Sequence, residues 1–205
     1  MGRDAAVEQV IAAIRDGRPA LLPTDTVYGL VAAAEGEDAA ARVYRLKGRE
    51  ETQPTALLAG SLDMLLECIP ELRGRAGVIA RALLPGPYTL VLPNPARRYR
   101  WLTGTRTDAI GVRVPELPGE SQRVVDAVGC LLATSANDPG GPSPVRLEEV
   151  PARIRSGVGA ELDVGPLPGI PSTVIDFTGE EPYVIRDGAA PASEAIALVR
   201  SALVS

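Results

Sequence analysis

The sequence predicts an α/β fold, a single domain with a twisted mixed β-sheet flanked by helices. Three observations predict it. Amphipathic helical segments and short apolar strands alternate irregularly along the 205 residues. Two strand-like segments, 172–177 and 182–185, flank Thr178-Gly179-Glu180-Glu181 as a β-hairpin, so antiparallel pairing enters the sheet. No repeat or low-complexity linker divides the chain, so the expected domain is 1–205.

The elements follow in order. Residues 4–15 read as an amphipathic helix, with Val7, Val10, Ile11 and Ile14 at helical spacing, Asp4 as N-cap and Gly17 as stop. Residues 19–22 form a short buried strand ended by Pro23. Thr24, Asp25, Thr26 and Tyr28 follow, then Gly29, and the apolar run resumes at Leu30. A strand that stops on hydroxyls and a carboxylate is either a capped turn or the lip of a small-molecule site. Residues 38–46 are a second helix ending in Lys47-Gly48-Arg49, where cations also suit the helix C-terminus.

Residues 55–59 are a buried strand, Ser61 caps a helix through about Cys68, and 73–84 is another helix. Pro85-Gly86-Pro87 makes a turn into a strand at 88–92. The irregular segment 93–108 carries Arg97, Arg98, Arg100 and Arg106, as a surface loop or a small basic patch. Arg113 stands among apolar neighbours in a strand at 109–114, where a guanidinium needs a partner or a ligand. A helix at 121–128 leads to a strand at 130–133, which opens into Thr134-Ser135-Ala136-Asn137 and then DPGGPSP. That irregular backbone could turn its N–H groups toward an anion. A short helix at 146–154, a proline-rich connection at 166–171, the hairpin, and a helix at 194–203 capped by Ser193 complete the chain. The active face is expected where the strand ends at Thr26, Ser135 and Ser172 gather.

Composition narrows the chemistry. Hydrophobic residues make up 45% and aromatics only 3%, so the core is aliphatic. There is no histidine, which excludes imidazole catalysis and histidine metal sites. Lys47 is the single lysine among 21 basic residues, and a compact ammonium retained in an arginine-rich chain suggests a phosphate contact. The net charge of −5 disfavours general nucleic-acid binding. Cys68 and Cys130 lie in apolar contexts and read as buried thiols. No apolar run reaches the ~18 residues of a membrane span, and acids interrupt the N-terminal pattern, so a cytoplasmic protein is expected.

Seven motifs now stand in order: PTDTVYGL, KGR after a helix, LPGPYT, GVRVP, SAN with a Gly-Pro-Ser tail, PSTVID and IRDGA. Together they closely resemble the YrdC/TsaC family of threonylcarbamoyl-AMP synthases, over roughly residues 4–190 and in its short single-domain form. The resemblance implies an ATP-dependent reaction. Threonine and bicarbonate form a carbamate, the carbamate attacks the α-phosphate of ATP, and pyrophosphate leaves. The product then serves a separate transferase that modifies the tRNA adenosine next to the anticodon.

By the same resemblance, Lys47 and Arg49 are the catalytic, phosphate-holding pair. Gln53, Ser135, Asn137, Ser143 and Arg186 join them on the ATP side, while Thr26, Arg113 and Ser172 hold threonine. A guanidinium suits the threonine carboxylate. Mg²⁺ is implied by the triphosphate and by no ligand cluster. Three positions depart from the family pattern: Glu50 replaces a proline, Leu58 a histidine, and Asp187 a proline. Leu58 motivates an alternative, a YciO-like paralogue with different chemistry. The arginine loop motivates another, a non-catalytic RNA-binding module with weak tRNA contact.

Overall fold

The computed structural model describes residues 2–50 and 52–204; Met1 and Ser205, at the limits of the expected 1–205 domain, lie outside the described residues. Helix α1 (Arg3–Arg15) starts from Gly2, so Asp4 sits in its first turn rather than at its cap, while Gly17 has a positive φ. Strands β1 (Ala20–Pro23) and β2 (Tyr28–Ala33) pair antiparallel, with Pro23 opposite Tyr28. Helix α2 (Glu37–Lys47) ends at Gly48, whose φ of 63° makes the left-handed cap that glycine adopts without cost. Strand β3 (Ala56–Leu58) precedes α3 (Leu62–Cys68), where Ser61 accepts from the Met64 amide as expected of an N-cap.

Helix α4 (Gly74–Leu83), β4 (Tyr88–Pro93), β5 (Ala109–Arg113), α5 (Gly119–Val128) and β6 (Leu131–Ser135) follow. The helix expected over 146–154 is instead a 3₁₀ turn, Leu147–Glu149, and a short α6 (Ala152–Arg155). Pro151 separates them because it has no N–H to continue the ladder. A two-residue strand, β7 (Ala160–Glu161), was not expected. The hairpin forms as β8 (Thr173–Asp176) and β9 (Tyr183–Arg186). Helix α7 (Ala192–Val204) begins before Ser193, which is therefore not its cap.

Among the described residues the strands make one nine-stranded sheet in the order β7-β1-β2-β6-β3-β5-β4-β8-β9. The pairs β1–β7, β3–β5 and β4–β8 are parallel and the others antiparallel. The expected mixed α/β sheet is thus present.

Side-chain alternation divides the two faces. On one, Leu30, Leu57, Leu90, Leu92, Ile110, Val112, Leu132 and Ile175 join Val43, Leu65, Ile79 and Val199 from α2, α3, α4 and α7 in the main core. On the other, Leu22, Val31, Leu58 and Leu131 pack with Val7, Val10 and Ile14 of α1 and Val124 of α5. Beyond the reach of α1 and α5 this second face is paved with small residues, among them Gly29, Ala56, Gly111 and Ala133, and a cavity opens above them.

Candidate active site

The cavity has a volume of about 360 Å³, within the size range of small-molecule sites. Its floor is the set of positions that alternate with core residues. Thr89 and Val91 alternate with Leu90 and Leu92, and Ala109, Gly111 and Arg113 alternate with Ile110 and Val112. Loops at the strand ends build the walls: Thr24, Thr26 and Val27 between β1 and β2, Arg49 and Pro54 after α2, Thr134 and Ser135 closing β6, and Pro171 and Ser172 before β8. Arg49, Arg106, Arg113 and Arg186 all line it, and no carboxylate does among the described residues. An acidic protein with a wholly cationic cavity concentrates anions there.

One cationic group stands at the start of β3. The Arg49 guanidinium donates to Thr134 Oγ1 at 3.2 Å and to the Pro54 carbonyl at 2.7 Å. Its Nε is buried without a hydrogen-bond partner. Lys47 is only 4% exposed, and its ammonium donates to Asn137 Oδ1 at 2.7 Å, to Ser135 Oγ at 3.3 Å and to the Ser135 carbonyl. Burial first, and repulsion from Arg49 second, lower its pKa to about 8. Asn137 is fixed in turn by donating to the Gly141 carbonyl at 2.6 Å.

Arg153 fastens this corner. It donates to the carbonyls of Leu46 and Lys47 at the end of α2 and pairs with Asp138 at 2.5 Å. Sequence reading passed over both residues. The signal was a cation available for the α2 C-terminus, but it lay more than a hundred residues away in the chain.

A second group stands at the other end of β3, where Arg113 is registered against Leu58. Arg113 pairs with Asp25 at 2.7 Å, and both side chains are 11% exposed. Burial lowers the Arg113 pKa and Asp25 opposes that shift, yet the Arg113 Nε remains buried without a partner. Thr26 Oγ1 donates to the same Asp25 oxygen at 3.3 Å. Ser172 Oγ shares a 2.8 Å hydrogen bond with Thr89, and Arg186 donates to the Ser172 carbonyl at 2.8 Å. Burial lowers the Arg186 pKa, and Arg113 nearby lowers it further. Arg186 therefore stands with Ser172 and Arg113.

Of the residues expected at the site, Arg49, Ser135, Arg186, Thr26, Arg113 and Ser172 line the cavity. Lys47 and Asn137 stand directly behind Ser135. Gln53 is exposed and Ser143 half-buried, and neither lines the cavity. Tyr28 turns away, donating to Asp163 and to the Gly165 carbonyl, with its pKa raised to about 12 mainly by burial. Leu58 is fully buried beneath α1 and α5, off the cavity wall. The basic patch is largely spent on structure: Arg98 pairs with Glu71, and Arg106 with Asp176 while it lines the cavity. Sequence reading flagged the strand ends at Thr24 and Thr134 without giving these two a ligand, and it missed Thr55, Thr89 and Thr103; all five threonines line the cavity among apolar residues.

A metal centre finds no support in the side chains. No group of three or more carboxylates or cysteines could hold an ion among the described residues. No helix among them is long and apolar enough to cross a membrane.

Comparison with known proteins places the cavity in context. The Sua5/YciO/YrdC family model, described as telomere recombination, matches residues 12–188. A threonylcarbamoyl-AMP synthase of Pyrococcus abyssi is 34% identical over 88% of this chain and 53% of its own length. The synthase of Halorhodospira halophila is 34% identical over 91% of this chain and 92% of its own. The chain therefore spans about half of the archaeal relative and nearly all of the bacterial one. Among solved structures, P. abyssi Sua5 complexed with L-threonine superposes with a TM-score of 0.85 at 31% identity, covering 97% of this chain and 58% of that one. Escherichia coli YciO gives 0.82 at 26% identity, covering 95% and 94%.

Proposed function

The chain belongs to the Sua5/YciO/YrdC family, and from that premise we propose that it is a threonylcarbamoyl-AMP synthase acting as one family domain in the cytoplasm. Its substrates are L-threonine, bicarbonate and ATP, and its products threonylcarbamoyl-AMP and pyrophosphate. The observation that carries the reading is the pair of orphaned guanidinium nitrogens. Arg49 Nε and Arg113 Nε are buried without partners at the two ends of β3, with a cationic cavity between them. A buried donor left unpaired costs about 1–3 kcal/mol, and an anion at each end removes that cost.

In this reading Arg113 binds the threonine carboxylate, with Thr26 and Ser172 beside it. Arg49 and Lys47 take the phosphates, with Ser135 and Asn137 holding the Lys47 ammonium in place. The amine of threonine, carboxylated by bicarbonate, presents its carbamate oxygen to the α-phosphorus. The P–O bond to pyrophosphate breaks as the new P–O bond forms. Catalysis rests on positioning and on fixed positive charge, for which no imidazole is needed. A magnesium ion would enter with ATP as part of the substrate, held by phosphate oxygens and water. The product passes to the transferase proteins that modify tRNA, and any direct tRNA contact is weak.

Pyrophosphate release from ATP tests the reading. Release that requires both threonine and bicarbonate, and is absent with serine or carbamoyl phosphate, is the expected result. Leu58 favours one competing reading, a YciO-like paralogue, since the chain has no histidine there. Release driven by another amino acid or by carbamoyl phosphate would transfer the assignment to that reading.

A further inference from the structure

A helix ends with four backbone carbonyls that have no partner inside it. At the end of α2 all four are taken, from two sources. The Gly48 amide donates to the Arg45 carbonyl at 3.1 Å and the Arg49 amide to the Tyr44 carbonyl at 3.0 Å, the two bonds that a left-handed glycine closes. The Leu46 and Lys47 carbonyls are left over. The Arg153 guanidinium, from α6, donates to both, at 3.0 Å for Lys47. It lies over the bare face of Gly48, where an added Cβ would stand 3.5 Å from Arg153 Nη2. A cation in this place also suits the helix dipole.

The same guanidinium is held from its other side. Asp138 Oδ1 accepts from Arg153 Nε at 3.0 Å and from Nη2 at 2.5 Å. Asp138 opens the turn after β6, and its carbonyl accepts from the Gly141 amide at 2.9 Å. Its neighbour Asn137 donates to the Gly141 carbonyl and accepts from the Lys47 ammonium. The contacts close a ring: Lys47 carbonyl, Arg153, Asp138, Asn137, Lys47 ammonium. Lys47 is thus gripped at its main chain and at its side-chain tip by one assembly. The Arg153 and Asp138 side chains are 47% and 53% exposed, and neither lines the cavity.

We propose that Arg153 and Asp138 are a positioning pair for the phosphate corner, fixing the end of α2 so that Lys47 and Arg49 meet a polyphosphate together. Their role rests on the reading of Lys47 and Arg49 as the phosphate-holding pair. Standing off the cavity wall, they act through Lys47 and through the chain that leaves α2 towards Arg49. Three acceptors on one planar fork fix the orientation of the helix end, which a single contact does not. A displacement of about 1 Å at a positioned group is enough to cost on the order of 100-fold in rate. An ion pair this exposed adds little to global stability, so position and stability separate on measurement.

One substitution distinguishes positioning from plain electrostatics by its sign. Asp138 is a carboxylate beside an anion-binding corner. By charge alone, Asp138→Asn removes a repulsion and should improve the use of ATP. By positioning, it frees the Arg153 fork and should impair it.

Pyrophosphate release at varied ATP and threonine tests the pair. We expect kcat/KM for ATP to fall about 10-fold in Asp138→Asn and in Arg153→Ala, and no further in the double variant, because the two residues act as one unit. KM for threonine and the melting temperature should stay close to wild type. Arg153→Lys keeps the charge without the fork and should recover less than half of the loss. Unchanged or improved use of ATP in Asp138→Asn, full activity in Arg153→Lys, or losses that add in the double variant would each overturn the proposal. If Arg153→Ala fails to fold, the exposed Asp138→Asn still decides by its sign. Calorimetric binding of inorganic pyrophosphate tells this failure from that of the underlying reading. Binding by Lys47→Ala as tight as wild type sinks the phosphate corner and the pair with it. Binding lost in Lys47→Ala but intact in Arg153→Ala and Asp138→Asn keeps the corner and overturns the pair alone.

Discussion

Lys47 shows how one residue is both the clearest sequence signal and an electrostatic burden. Its uniqueness was legible in composition; its burial against Ser135 and Asn137 was not, because those partners come from the end of β6 and the loop after it, about ninety residues later. With its pKa lowered to about 8, Lys47 should hold its ammonium charge below that pH and lose it above. We expect kcat/KM for ATP to fall as pH rises through about 8 in the free protein, and Lys47→Arg to shift that falling limb to higher pH. The stability sign is separate. Between about 8 and the ordinary value of 10.5 the unfolded chain binds the proton and the folded one does not, so Lys47 makes stability rise with pH across that window. Thermal melts from pH 8 to 10.5, compared with Lys47→Ala, read this term. Lys47→Ala should also lower turnover at least about 100-fold while circular dichroism stays native. Arg113 carries a parallel expectation. Arg113→Lys cannot supply a planar fork, so KM for threonine should rise about 10- to 100-fold with a smaller change in kcat. Pyrophosphate kinetics at varied threonine distinguish the two parameters.

At the scale of elements, periodicity gave the helices and turn chemistry gave the loops, while partners distant in sequence decided the rest. Helix α1, the cap at Ser61 and the hairpin were readable because their determinants are local. The two-residue β7 was not, since it exists only by pairing with Ala20 and Leu21 of β1. The segment 146–154 does not form the single expected helix, because Pro151 lacks the N–H that a continuous helix would need there. Arg186-Asp187-Gly188 illustrates a local motif with a distant purpose. A Cβ on Gly188 would lie 2.2 Å from the Pro171 carbonyl oxygen and 2.5 Å from the Ser172 carbonyl carbon. Neither is the end of a flexible side chain, so the main chain before β8 must move, and Ser172 with it. Gly188→Ala should therefore cost activity at least about 10-fold, with the loss greater in KM for threonine than in thermal stability, because the displaced segment is cavity wall rather than core.

The molecule as a whole places a cationic cavity in a chain of net charge −5. The expected gathering of Thr26, Ser135 and Ser172 at one face was legible, because open α/β sheets collect functional side chains at strand ends. That this face stays uncovered was less so. It depends on α1 and α5 lying over only the β1, β2, β6 and β3 part of the sheet, leaving Ala56, Gly111 and Thr89 as floor. The alternation of Leu with Thr and Val along β4, and of Ile and Val with Ala and Gly along β5, is the signal that the sequence carries for it. The charge contrast has a measurable consequence. Four arginines line the cavity, while the carboxylates paired with two of them, Asp25 and Asp176, stand off its wall. The attraction for a triphosphate is therefore local and sheltered from solvent on the floor side, while the acidic exterior repels the same anion at longer range. Salt screens the long-range repulsion first, since exposed charges farther apart than about 10 Å interact little at ~0.1 M ionic strength. Added neutral salt should then lower KM for ATP slightly from ~0.01 M to ~0.1 M and raise it severalfold towards ~1 M, as screening reaches the cavity arginines. KM measured across that range at fixed threonine gives the test. A monotonic rise from the lowest salt would mean that the exterior field does not govern encounter and that the arginines dominate at every distance.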